Sequence, residues 1–133
     1  MAQRVLVTAG ASGIGLAIAN AFAAAGAAVH IADVDAEAVA AAMRAHERIS
    51  GSVTDVGDRA AVQRLFEDVQ TRLGGLDVLV NNAGISGPTA PLAEYDPAAW
   101  NAVIDVNLNG TFHVTQLAIP LLRLSAQASI VIM

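Results

Sequence analysis

The 133-residue chain has no cysteine and no lysine, only 4% aromatic residues, and charge on just 14% of its positions. Without cysteine there is no disulfide framework, no thiolate metal site and no cysteine nucleophile. That fits a reducing compartment, and a cytoplasmic location is the expectation. Seven arginines against twelve acidic residues give a net charge of -5, which leaves no basic footprint for nucleic acid. What is abundant is apolar: 55% of the residues are hydrophobic and 29 are alanine. That content excludes a disordered chain. The length suits one domain, residues 1–133, able to bury about two-thirds of its unfolded surface.

Residues 5–32 carry no Asp, Glu or Arg and superficially resemble a membrane span or a leader peptide. Gly10, Ser12, Gly13, Gly15, Asn20 and Gly26 interrupt the stretch, and a buried strand, a glycine turn and a helix explain it better. Arg4 to Thr8 reads as that strand, and Gly13 to Ala25 as the helix. A second strand covers Val29 to Ala32, and Asp35 caps a helix with a stripe of Val39, Ala42 and Met43. A weak third strand lies within Arg48 to Val56. Asp58 then opens an amphipathic helix burying Val62, Leu65, Phe66, Val69 and Leu73. Leu76 to Val80 is the fourth strand. Asp96 and Pro97 start a helix through Trp100, Val103, Ile104 and Leu108 to about Leu122. A break is expected near Asn107 to Gly110 or at Pro120. Ile130 to Met133 is the fifth strand.

Strands apolar on both faces, alternating with helices, predict an α/β fold: a doubly wound, Rossmann-like parallel sheet in the order 3-2-1-4-5. The chain is expected to be truncated after the fifth strand, whose four apolar residues would otherwise form an uncovered edge.

The turn from Thr8 to Gly15 sits where a phosphate would meet a helix N-terminus. It is not a P-loop, because Leu16 stands where the lysine belongs, and not a nucleophile elbow, because Ile14 replaces the second glycine. Ile18 likewise breaks the G-x-G-x-x-G spacing. A tight turn without a ligand and a nucleotide cradle of different spacing both remain open. Asp33, 18 residues after Gly15, ends the second strand where a carboxylate can accept hydrogen bonds from an adenosine ribose. Taken alone it would be a surface cap. His30, His46 and His113 lie on separate elements, so no metal site is expected; His30 reads as a core histidine and Trp100 as core. Glu67 and Asp68 read as a solvated helix face.

The turn Thr8 to Gly15, Asp33, Asp55-Val56, Asn81-Asn82-Ala83-Gly84 and Asn107 together resemble the short-chain dehydrogenase/reductase family over the whole chain. The resemblance implies a nicotinamide-dependent oxidoreductase moving hydride between the cofactor and an alcohol or ketone. Gly10, Ser12, Gly13, Ile14 and Gly15 would wrap the pyrophosphate, Asp33 would hold the adenosine ribose, and Asp55 and Val56 would flank the adenine. Asn82, Ala83 and Gly84 would line the path toward the nicotinamide. Asn107 looks like the family's catalytic asparagine; it also reads as a helix-kink residue. Asp33 would repel a 2′-phosphate, so NAD is expected over NADP. A homo-oligomer is implied, with no membrane or nucleic-acid partner.

Two departures stand out. Ala9 occupies the position where the family usually has glycine, and a neighbouring glycine is expected to take over the turn. The family's catalytic serine would fall just beyond Met133, no lysine is present for the Tyr-x-x-x-Lys pair, and Tyr95 lies before Asp96-Pro97, where substrate-side packing is expected. Residues 1–133 alone are therefore expected to be inactive. The alternative is a non-catalytic dinucleotide-binding or assembly fragment that needs a partner chain.

Overall fold

The computed structural model describes residues 2–133. Five strands, β1 (Arg4–Thr8), β2 (Ala28–Asp33), β3 (Ile49–Val53), β4 (Val78–Asn81) and β5 (Ser129–Ile132), pair in parallel in the order β3-β2-β1-β4-β5. Helices α1 (Gly13–Ala24), α2 (Ala36–Ala45), α3 (Arg59–Leu73), α4 (Pro97–Ile104) and α5 (Thr111–Leu122) fill the connections. Register runs Leu6 to His30 on one side of β1 and Leu6 to Leu79 on the other.

Side chains alternate across a strand, so the sheet divides its apolar residues between two layers. Val5, Val7, Val29, Ile31 and Val80 meet Ala19 and Ala23 of α1 and Val39 and Ala42 of α2. Leu6 and Leu79 meet Val62, Leu65 and Val69 of α3 and Val114, Ala118 and Leu122 of α5. Alanine on α1 lets that helix lie close to the sheet, while the α3 side is filled by larger side chains. Each fully buried Leu or Val contributes about 1.5–3 kcal/mol relative to exposure, so these layers supply the main driving force.

Asp35, Asp58 and Asp96 cap α2, α3 and α4 through their carboxylates, as their positions predict. At the far end of the sheet Asp77 accepts from Arg4 Nε at 3.0 Å, Arg4 Nη2 at 3.1 Å and Ser125 Oγ at 2.7 Å. These bonds, the Arg4 guanidinium foremost, hold the Asp77 carboxyl well below the usual carboxylate range.

Several expectations are corrected. Met43 lies on the exposed side of the α2 stripe, and Phe66 and Leu73 are only partly covered. Trp100 is 54% exposed and Leu108 63%, because no element packs over the outer face of α4 and the turn that follows it. The break expected near Asn107 to Gly110 is present, but as a change of helix type and not a gap. Asp105–Gly110 is a π-helical turn, whose extra residue per turn shifts the helix phase without interrupting its backbone bonding. Pro120 is carried inside α5. Asp68 is not simply solvated, since Ser52 Oγ donates to its Oδ2 at 2.6 Å. β5 pairs along β4 yet stays open to solvent, with Ile132 66% and Met133 64% exposed.

Candidate nucleotide-binding site

The ends of β1, β2 and β4 converge where strand order reverses, between β1 and β4. Such a switch point leaves a crevice because the chain leaves adjacent strands toward opposite faces. Thr8 closes its floor. The buried hydroxyl accepts from the backbone N–H of Asn82 and of Ala83, each at 3.0 Å, and donates to the Val80 carbonyl at 3.5 Å. Sequence reasoning placed Thr8 at the end of the first strand and the start of the turn, without a role for its hydroxyl. A hydroxyl as the last residue of a buried strand was the available signal.

The turn after Thr8 is built by contact. Ala9 itself takes a left-handed backbone (φ 50°), so the expectation that a neighbouring glycine takes over is wrong. Gly10 serves another purpose. A Cβ there would lie 2.7 Å from Ile31 Cγ2 and 2.9 Å from the Val7 carbonyl oxygen. At Gly15 a Cβ would overlap the Ala9 carbonyl and come within 2.6 Å of Asn82 Nδ2. Asn82 Nδ2 in turn donates to that same carbonyl at 3.3 Å. Gly13 needs its freedom for φ 54°, with open space around it. Ser12 stands at the N-cap of α1 with no capping bond from its hydroxyl, and Ile14 is exposed on the first turn. The result is a helix N-terminus bared by glycines, the arrangement that admits a phosphate.

Asp33 is fixed beside this turn by the N–H of Ala11 at 3.1 Å and of Asp35 at 3.2 Å. Ala9, Ser12, Asp33, Asp55, Val56 and Gly84 contribute to one crevice of about 220 Å³. No lysine, arginine or histidine lines it. Asp55 accepts from the Gly57 N–H at 2.9 Å, and Val56 is buried against Gly110, where a Cβ would meet it at 2.7 Å.

Asn107 lies in the π-turn. Its Nδ2 donates to the Ile85 carbonyl at 2.8 Å while its Oδ1 accepts from the Ile85 N–H at 2.8 Å, so its amide pairs with the loop as a strand would. Thr111 Oγ1 donates to its carbonyl at 2.9 Å. A second, more open cavity of about 860 Å³ shares Ala83 and Gly84 with the first and reaches Asn107, Phe112 and Met133. Ser12, Asp33, Asp55, Val56, Ala83 and Gly84 thus line the first crevice, Asn82, Ala83, Gly84 and Asn107 line the second, and Gly10, Gly13, Ile14 and Gly15 belong to the neighbouring turn without lining either. Tyr95 is elsewhere, packed edge-on against Trp100 with ring centres 6.3 Å apart. His30, His46 and His113 are apart, and no group of three potential metal ligands occurs among the described residues.

The family model for short chain dehydrogenases matches residues 3–133. The chain belongs to that family. Its relatives include the 3-oxoacyl-[acyl-carrier-protein] reductase FabG of Thermotoga maritima, 39% identical over 130 residues, covering 95% of this chain and 52% of the relative. Another is the 2-dehydro-3-deoxy-L-rhamnonate dehydrogenase (NAD(+)) of Sphingomonas sp. (strain SKA58), 36% identical over 115 residues, covering 86% and 46%. Among solved structures, a 3-ketoacyl-ACP reductase from Sinorhizobium meliloti 1021 superposes with a TM-score of 0.91 at 32% identity, covering 97% of this chain and 52% of that one. This short-chain dehydrogenase chain spans about half the length of the curated relatives it matches. The family uses nicotinamide cofactors, and the start of α1 suits the pyrophosphate of such a group: a Cβ at Gly13 would stand in open space.

Proposed function

We propose that this chain is the dinucleotide-holding part of an oxidoreductase that moves a hydride between NAD and an alcohol or ketone. The observation that carries the reading is the Thr8–Gly15 turn, bared at the α1 N-terminus and locked to Asn82 beside a crevice walled by Asp33. When bound, the nicotinamide supplies the hydride chemistry. The chain's own residues supply the holding: Gly10, Ser12, Gly13, Ile14 and Gly15 receive the pyrophosphate, Asp33 the adenosine ribose, Asp55 and Val56 the adenine. Asn82, Ala83 and Gly84 border the way to the nicotinamide, and Asn107 sets the loop at Ile85 beside it and acts in the proton relay.

A preference for NAD follows from charge. A 2′-phosphate beside Asp33 would face like charge, worth about 1–4 kcal/mol at contact, with Val34 exposed next to it and no cation in the crevice. The Sphingomonas relative carries NAD(+) in its name. Titrating NAD and NADP into the protein tests this: NAD should bind at least several-fold tighter, and Asp33→Ala should narrow the gap. Equal or tighter binding of NADP would end the claim.

The other reading is a binding or assembly module working with a partner chain. It is favoured by the apolar side chains of Trp100, Leu108 and Phe112, left exposed on the α4–α5 face. The length of the natural polypeptide separates the two readings: an intact mass large enough for a downstream serine and Tyr-x-x-x-Lys pair supports the enzyme, and a mass matching residues 1–133 supports the module. Steady NADH production by residues 1–133, with host enzymes excluded, would overturn the expectation that this segment alone is inactive.

A further inference from the structure

His30 is 99% covered within β2, yet both its ring nitrogens are hydrogen-bonded: Nδ1 lies 2.7 Å from Ser50 Oγ and Nε2 2.7 Å from Ser52 Oγ. Ser52 Oγ lies 2.6 Å from Asp68 Oδ2 on α3, whose residue reaches solvent. The direction of these bonds follows from proton counting. An ionised carboxylate only accepts, so the single Ser52 proton points to Asp68. The Ser52 oxygen must then accept from His30, which places the imidazole proton on Nε2. Nδ1 is left as an acceptor, and Ser50 donates to it in preference to the Val29 carbonyl 3.4 Å away.

The imidazole is neutral for a physical reason. Burial pushes His30 down to about 4, against the opposing pull of Asp68 and with help from Arg72. Both charges sit on α3; the register partners of His30 on β1 and β3, Leu6 and Ser50, carry none. From α5 the same core layer receives Val114 and Ala118, also uncharged.

We propose that Ser50, His30, Ser52 and Asp68 form one directed hydrogen-bond chain that clamps edge strand β3 onto β2 and α3, with His30 as a positioning residue for the adenosine wall. β3 has need of a clamp. It is an edge strand of sequence Ile-Ser-Gly-Ser-Val, poor in strand formers at its centre. Its end sets the wall, because Thr54 N–H donates to the Asp33 carbonyl at 2.9 Å and Asp55 and Val56 follow directly. This deepens the nucleotide reading and rests on it.

The test has two independent arms. Long-range ¹H–¹⁵N correlation should show His30 as the Nε2–H tautomer at neutral pH. In Ser52→Ala, which removes the acceptor, the population should move to Nδ1–H, with Ser50 turning its proton to Val29. Titration with 5′-AMP should show affinity about five-fold lower in Ser52→Ala, the scale of one lost hydrogen bond, and Ser52→Thr should restore it. Asp68→Asn, at the surface, is the fallback where Ser52→Ala does not fold. It keeps an acceptor, so it should retain the tautomer while lowering the pH at which His30 titrates. An Nδ1–H tautomer in the unaltered protein, or an unmoved titration in Asp68→Asn, overturns the directed chain. Unchanged 5′-AMP affinity in Ser52→Ala overturns the positioning role. Failure of the unaltered protein to bind 5′-AMP ends the nucleotide reading and with it the chain's output, while the tautomer result stands separately.

Discussion

Ala9 holds a left-handed backbone that costs an L-residue about 1–2 kcal/mol, and it does so beside Gly10, whose own place is set by the nearness of Ile31. Ala9→Gly relieves that strain but gives the unfolded chain more freedom, which offsets about 0.4–1 kcal/mol. The expected net gain is about 0.5 kcal/mol, a Tm rise of about 2 °C, read by thermal unfolding. A fall in Tm would show that the turn is not strained at Ala9. Gly15→Ala is the opposite case. The new Cβ overlaps the Ala9 backbone carbonyl, which cannot swing away as a side-chain end can, so a loss of at least about 2 kcal/mol and of nucleotide binding is expected. Retained binding with unchanged stability would contradict the close packing of the turn.

Among the elements, β2 carries the pH dependence. The folded chain disfavours a charged His30, so its folded value of about 4 lies below the ordinary 6.5 of the unfolded chain. Below pH 6.5 the unfolded state binds the extra proton, and stability falls until folded His30 also protonates near 4. The contribution is fully present above 6.5 and amounts to about 3 kcal/mol. Urea unfolding at pH 7 and 4.5 should show most of that loss. A His30→Gln variant, whose side chain does not titrate, should show a markedly smaller difference. Asp77 adds acid sensitivity lower down. Its depressed carboxyl stabilises above the ordinary carboxylate value and loses that contribution as pH falls below it, and Arg4→Gln should flatten this part of the curve.

At the level of the whole molecule, apolar side chains stay uncovered on the α4–α5 face and along β5. Trp100, Leu108 and Phe112 on the α4–α5 face are more than half exposed, and β5 adds Ile130, Val131 and Ile132, with Met133 just after them. Covering them is worth about 1.5–3 kcal/mol for each side chain fully buried, a large share of a domain's net stability. Residues 1–133 expressed alone should therefore associate with rising concentration. Sedimentation at several concentrations checks this. A well-folded monomer persisting at high micromolar concentration would show that the surface is tolerated. No helix among the described residues is long and apolar enough to cross a membrane, so the charge-free stretch from Val5 to Ala32 is strand, turn and helix.

Local chemistry by itself determined the element order, the three aspartate caps and the 3-2-1-4-5 sheet, because these depend on periodicity, on cap residues and on the handedness of crossovers. It also marked Gly10, Gly13, Gly15 and Asp33, since a glycine turn and a carboxylate at a strand end are visible in one dimension, whereas Asn82 and Asn107 were marked only by the family resemblance. Tertiary structure decided what those residues touch. Only packing shows that Gly15 lies against the Ala9 carbonyl, that Thr8 joins two strand ends, and that Asn107, inside the π-turn, pairs with Ile85. The π-turn is likewise invisible in periodicity, because one added residue shifts the helix phase only once. Trp100 looked like core because it lies on an apolar stripe, yet a stripe is buried only where another element covers it. Asp68 looked solvated for the converse reason: its partners, Ser52 and through it His30, are distant in sequence and meet it only when β3 pairs beside β2 with α3 packed over both.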